Sequence, residues 1–223
     1  MNYVFQFNVV WEHFPELLHG ARLTIQLSAM AMVLGLCLAI VCAYGKSAGP
    51  KPVRWLIGAY VELIRNTPFL VQIFIIYFSL PMIGLRLTAN SAALLAMTVN
   101  LGAYASEIVR AGIEAIPQGQ VEAARALGLR RLQIFRFIII FPALKTVYPA
   151  LSSQFILLML SSSVVSTISA VELTAITNSL QSTTFRAFEF YFVATGLYLV
   201  MALGFRAVLS SIYWAVFQRG RAV

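Results

Sequence analysis

The side chains whose type and setting point to chemistry are polar groups placed inside apolar runs: Gln72, Asn100, Glu107 and the row Ser161, Ser162 and Ser163. A charge at the centre of a membrane helix costs about 2.5 to 3.5 kcal/mol on the insertion scale, so such groups face protein or a water-filled path. Hydroxyls and an amide both donate and accept hydrogen bonds, which suits recognition of a polar solute. Hydrogen bonding between helices explains Asn100 and the serines nearly as well. Glu107 with Arg110, and Glu62 with Arg65, stand three residues apart and read as structural pairs. No bond-making constellation accompanies them. The chain has no His-Glu-x-x-His, no Gly-x-Ser-x-Gly and no glycine-rich Lys-Ser/Thr phosphate loop, so it is not expected to hydrolyse ATP by itself. His13 and His19 show no ligand partners at metal-binding spacing and read as interfacial residues, with no metal site.

Composition says what surrounds these groups. Apolar residues make up 60% of the chain and charged ones 11%, where an ordinary soluble domain carries about 25%. Every acidic residue is Glu, and the net charge of +8 comes from Lys and Arg gathered in short clusters between apolar runs. A nucleic-acid-binding protein collects such charge on one folded face, ready for phosphates. Here it separates hydrophobic runs, which is how a membrane protein fixes its orientation. Cys37 and Cys42 fall in one apolar run, point in different directions and read as buried filler rather than a disulfide. The first residues carry no basic region or small-residue cleavage site, so no removable signal peptide is expected.

A spanning helix needs about 20 mostly apolar residues. The runs predict five, at about 23–44, 55–80, 91–108, 147–165 and 188–214, within a single domain covering 1–223. The second is interrupted at Arg65-Asn66-Thr67-Pro68, where Thr67 reads as an N-cap before proline. Ala92, Ala96, Val99 and Ala103 make a smooth ridge of the kind that lets membrane helices approach closely. Ahead of the first span, residues 9–18 predict a short interfacial helix or turn. Loop 46–54 holds Lys46, Lys51 and Arg54 with no acid, residues 110–145 are rich in arginine, and Arg219 and Arg221 follow the last span. The positive-inside rule then puts the N-terminus outside and the C-terminus in the cytoplasm.

The longest hydrophilic stretch, about 111–142, joins the third and fourth spans. Pro117 breaks any helix before it, Gln118 to Leu127 are strong helix formers, and Gly128 punctuates them. Leu129 to Arg136 predict a second short helix leading to Pro142. A ten-residue helix, about 15 Å long, is unstable alone in water and must pack on something. It is either an amphipathic loop resting on the bilayer or a docking helix that transmits force.

These residues carry a resemblance. Glu122-Ala123-Ala124, then Gly128, then Phe141-Pro142, is similar to the EAA signature of ABC importer permeases. Glu62 through Gln72, Gly102 through Arg110, and Gly119-Gln120 extend the likeness over nearly the whole chain, to the MetI-like permeases for polar amino acids and opines. The resemblance implies an all-α, five-span type I importer fold in the bacterial inner membrane. It also implies a coupling surface formed by Gly119, Gln120, Glu122, Ala123, Ala124, Arg125, Leu127 and Gly128. The implied partners are two cytoplasmic ATP-binding subunits, a second permease, an extracytoplasmic solute-binding protein and the lipid bilayer, with no nucleic acid. No cofactor is expected on this chain, since ATP and Mg belong to the ATPase.

One position departs from that pattern. Where the family usually has Lys, a small polar residue and then Thr-Ser-Leu, this chain has Leu160 and then the three serines, although Glu172-Leu173 is kept. That favours an unlike second permease, with a homodimer as the other possibility. The competing readings are a secondary transporter or channel driven by an ion gradient, which calls for paired ionisable groups at mid-membrane, and a membrane-anchored scaffold.

Overall fold

Prolines and side-chain caps set where the helices start. In the computed structural model, which describes residues 3–218, those residues form helices α1 (Phe7–Glu12), α2 (Phe14–Ala48), α3 (Lys51–Arg65) and α4 (Phe69–Ser79), the last extended by a 3-10 turn at Leu80–Ile83. α5 (Ala89–Glu114), α6 (Gln118–Ala126) and α7 (Arg131–Gln133) follow. A π-wound stretch, Ile134–Ile140, leads into α8 (Phe141–Ser161), then a 3-10 turn at Ser162–Ile168, α9 (Leu173–Thr184) and α10 (Ala187–Tyr213). Pro15, Pro52 and Pro142 sit in the first turns of α2, α3 and α8, where a missing N–H costs nothing. The Thr88 hydroxyl accepts from the Ser91 amide at 3.2 Å and caps α5, and the Glu172 carboxylate accepts from the Ala175 amide at 2.7 Å and caps α9.

Four stretches are long and apolar enough to cross a membrane: Phe14–Ala48, Ala89–Glu114, Arg131–Ile168 and Ala187–Phe217. The pair α3 and α4 passes the same test jointly but is bent by 110°, and taken as one broken span it makes the fifth. The helices outrun the apolar segments. α2 begins at Phe14 rather than near residue 23, and the short helix expected at Leu129 to Arg136 runs straight on into the fourth span. Helical hydrogen bonding continues past the point where hydropathy falls, through the π-winding of Ile134–Ile140.

Several local expectations are corrected. Thr67 does not cap α4: Pro68 holds that position, and the Thr67 hydroxyl donates to the Leu63 carbonyl at 2.8 Å, closing the end of α3. Glu62 and Arg65 form no pair. Asn66 bonds Glu62 at 2.9 Å, while the Arg65 guanidinium lies 5.6 Å from the centre of the Tyr104 ring, a cation–π distance. Cys42 is buried but Cys37 is exposed on the outside of α2. His13 does meet a carboxylate, Glu16 at 2.8 Å, yet no group of metal-ligating residues assembles among the described residues.

The core lies between α2 and α5, which run side by side in the same direction: Gly35 meets Leu101 and, further on, Lys46 meets Glu107. Ala31, Ala39, Ala92, Ala96 and Ala103 are fully or almost fully buried there, so the small-residue ridge does bring backbones together. Gly102 marks the closest approach. A Cβ there would stand 2.6 Å from Leu38 Cδ2 and 2.8 Å from the Tyr60 hydroxyl, which donates to the Val99 carbonyl at 2.6 Å. Gly102→Val is therefore expected to destabilise the protein by about 1 to 3 kcal/mol, the cost of overpacking, read as a lower melting temperature in detergent.

Candidate functional site

α6 is built by its ends. Pro117, with φ −58° and ψ 129°, cannot continue α5 and stands as the N-cap of α6. At the other end the Leu129 amide donates to the Ala124 carbonyl at 3.2 Å and the Gly128 amide to the Arg125 carbonyl at 2.9 Å. Gly128 adopts φ +77°. This is a Schellman ending, and the left-handed residue it needs is the one glycine supplies without strain. The helix is nine residues long, Gln118 to Ala126, and Leu127 is its C-cap rather than its last turn.

Nearly the whole signature faces outward. Gly119, Gln120, Glu122, Ala123, Arg125, Leu127 and Gly128 are exposed, while Ala124 is buried at 3% exposure and anchors α6 to the bundle. Leu127 is 80% exposed and Leu132 70%, so the loop offers apolar side chains as well as charge. Behind α6 lies a cleft of about 440 Å³ lined by Ser47, Glu114, Gln118, Glu122, Arg125 and Ile139, among others.

A chain of charges reaches that cleft from α2. Lys46 Nζ donates to Glu107 Oε1 at 2.7 Å. Arg110 donates to Glu107 Oε2 through Nε at 3.1 Å and Nη2 at 2.9 Å, and its Nη1 donates to Glu114 at 2.5 Å. The expected Glu107–Arg110 pair is present, and Lys46, read from the sequence as a loop charge, joins it across two helices. Glu107 is thereby committed to holding α2 against α5 at this end of the bundle.

The other polar candidates separate into groups. Gln72, 6% exposed, donates to the Ile64 carbonyl at 2.7 Å and to Thr67, while its Oε1 accepts from Asn100 Nδ2 at 2.9 Å. The two amides thus come together and pin the α3–α4 elbow to α5. The serines stand apart. Ser162 is fully buried and donates to the Met159 carbonyl at 2.7 Å; Ser163 donates to the Leu160 carbonyl at 2.9 Å. Ser161, at the end of α8, is half-buried. Of the row, Ser161 and Ser163 keep partial access. At the end of the bundle away from α6, the buried Glu172 accepts from the Tyr198 hydroxyl at 2.6 Å, and the buried Glu189 accepts from the Tyr3 hydroxyl and the Gln6 amide. Sequence reading missed these partners because they lie more than twenty residues apart. It also passed over Arg206, whose signal was plain: it is the sole charge between Phe190 and Trp214.

Comparison with known proteins decides the family. The profile described as "binding-protein-dependent transport system inner membrane component" matches residues 35–218. The chain belongs to that family. It is 35% identical over 221 residues to the octopine transport system permease protein OccM of Rhizobium meliloti, covering 95% of this chain and 90% of that one. It is 34% identical over 196 residues to the probable glutamine ABC transporter permease protein GlnM of Bacillus subtilis, covering 88% and 91%. Among solved structures, an amino acid ABC transporter crystallised with histidines superposes with a TM-score of 0.83 at 35% identity, covering 95% of this chain and 99% of that one. The inward-facing MetNI methionine ABC transporter, at 21% identity and a TM-score of 0.77 over 93% and 99%, shares the fold. This inner membrane component therefore has the all-helical MetI-like fold and is the permease subunit of an ABC importer, not an ion-gradient transporter. Its place in the family is that of a membrane-embedded transport subunit.

Proposed function

We propose that this permease takes up amino acids or opine-like compounds by alternating access, and that α6 and its flanks are the surface on which a separate ATPase acts. The observation that carries this is the outward presentation of Gly119, Gln120, Glu122, Ala123, Arg125, Leu127 and Gly128 on a short helix anchored by Ala124. A helix this short is stable only when packed, and an exposed Leu127 beside Glu122 and Arg125 leaves apolar and charged contacts for a partner. Two cytoplasmic ATP-binding subunits would use ATP and Mg, close on hydrolysis substrate, and move the docked helices together. A solute-binding protein would deliver from the other face, and relatives named for glutamine and octopine support the solute class.

In this reading the α6 end is cytoplasmic and the end holding Tyr3, Glu172 and Glu189 is outside. The loop charges Lys46, Lys51, Arg54, Arg125, Arg130 and Arg131 support that orientation; Arg219 and Arg221 lie outside the described residues. The second permease is an unlike partner, an assignment resting on Leu160, an exposed apolar residue beside the serine turn. Gln72, Asn100, Ser161 and Ser163 border the solute route, with Ser162 supporting the turn and Glu107 holding its cytoplasmic end.

Purified alone, the chain is expected to show no ATP hydrolysis. With the ATPase subunits, the second permease and the binding protein in proteoliposomes, loaded binding protein should stimulate hydrolysis several-fold. Hydrolysis that ignores the binding protein would overturn the assignment.

A further inference from the structure

Arg206 is a charge inside the last candidate span, Ala187–Phe217, as Lys145 is inside the fourth. It is exposed on α10 and forms no hydrogen bond or ion pair among the described residues. Tyr213 lies seven positions further along α10, which places Arg206 about 10 Å inside the aromatic end of the span. A guanidinium at such depth faces protein or water rather than lipid tails. It lines a groove of about 520 Å³ between α8 and α10, together with Tyr148, Ser152, Ser153, Ser210 and Tyr213.

Two further features bear on what fills the groove and where it leads. Pro149 forms part of its wall and has no N–H, so the helix ladder loses the bond that would reach the Lys145 carbonyl. Incomplete backbone pairing at membrane depth is tolerated where it meets protein or a water-filled cavity. The α8 wall also continues towards the serine turn, because Pro149, Ser153 and Leu160 recur on one face of α8, which ends where that turn begins. The acids of the bundle are already engaged: Glu107 by Lys46 and Arg110, Glu172 by Tyr198, Glu189 by Tyr3. Arg206 answers none of them.

We propose that this groove is the α6-side half of the solute route, filled with water, and that Arg206 makes it select anionic groups by receiving the carboxylate of an amino acid-like solute. The proposal rests on the importer reading above and adds to it a residue and a charge preference.

The test uses the assembled complex in inside-out vesicles, with Cys37 and Cys42 replaced by Ala and Ser153→Cys as the reporter. The thiol is treated with a negatively charged sulfonatoethyl methanethiosulfonate or its positively charged trimethylammonium counterpart. The ratio of anionic to cationic reaction rates is expected to fall about tenfold when Arg206→Gln is added, the scale on which a charged cleft concentrates counter-ions. Arg206→Lys should keep most of the preference, which separates charge from packing. No reaction with either reagent would mean a lipid-covered groove and would overturn the proposal, as would a ratio that Arg206→Gln leaves unchanged. Loss of binding-protein-stimulated ATP hydrolysis in the same complex before Arg206 is altered contradicts the importer reading instead, so the two failures are distinguishable.

Discussion

Gly128→Glu is expected to abolish uptake and reduce binding-protein-stimulated ATP hydrolysis by more than about tenfold, while the chain still inserts into the membrane and purifies. The reason is local. Gly128 holds φ +77° at the Schellman end of α6, and an L side chain in the left-handed region costs roughly 1 to 2 kcal/mol. A Cβ at this position meets nothing within 4 Å, so the core is not disturbed and the protein persists. What changes is the bend that turns the chain out of α6, together with a new negative charge on its exposed end. Gly128→Asn separates the two effects, because Asn enters the left-handed region more readily than other side chains. That variant should retain most of the stimulated hydrolysis. Uptake assays on vesicles holding equal amounts of each variant check both outcomes, and normal uptake by Gly128→Glu would remove the docking role of this loop.

Glu107→Gln is expected to carry the largest stability cost among the polar residues. It leaves Lys46 and Arg110 facing a neutral amide with side chains only 28% and 29% accessible. Stranding the partner of a fully buried pair costs about 3 to 5 kcal/mol. Partial exposure here lowers the expectation to about 1 to 3 kcal/mol, since solvent screens what it reaches. Arg110 keeps Glu114, so Lys46 loses more than Arg110 does. A double-mutant cycle isolates that coupling: adding Lys46→Met to Glu107→Gln should cost less than the sum of the two single changes. Additive losses, measured by thermal unfolding in detergent, would show that the contact between α2 and α5 does not depend on this bridge.

The spans and the short helix α6 were legible in the sequence for different reasons. Hydropathy runs mark spans because the bilayer demands apolar length, and Pro117 and Gly128 mark the ends of α6 because each restricts backbone choice in a known direction. The ends of the spanning helices were not legible, since backbone hydrogen bonding carries α2 and the fourth span well past their apolar segments. Within the candidate route, near neighbours were read well and distant ones poorly. Glu107–Arg110 follows from helical spacing, whereas Lys46–Glu107 and Gln72–Asn100 depend on how α2, α4 and α5 stack. Glu62 and Arg65 had the right spacing and still did not pair: Asn66 bonds Glu62, and the Arg65 guanidinium lies over the Tyr104 ring. Spacing on one helix says which groups are able to meet. Packing decides which ones do.

The central proposal is that force from a separate ATPase enters this permease through α6, and photo-crosslinking in membranes holding the whole complex reads that contact. A photoreactive phenylalanine at Ala123, exposed on α6, is expected to form an adduct with the ATP-hydrolysing subunit, and the same group at Leu199, exposed on α10, is expected to form none. An adduct absent from Ala123 in a complex that still transports would contradict the assignment of α6 as the driven surface.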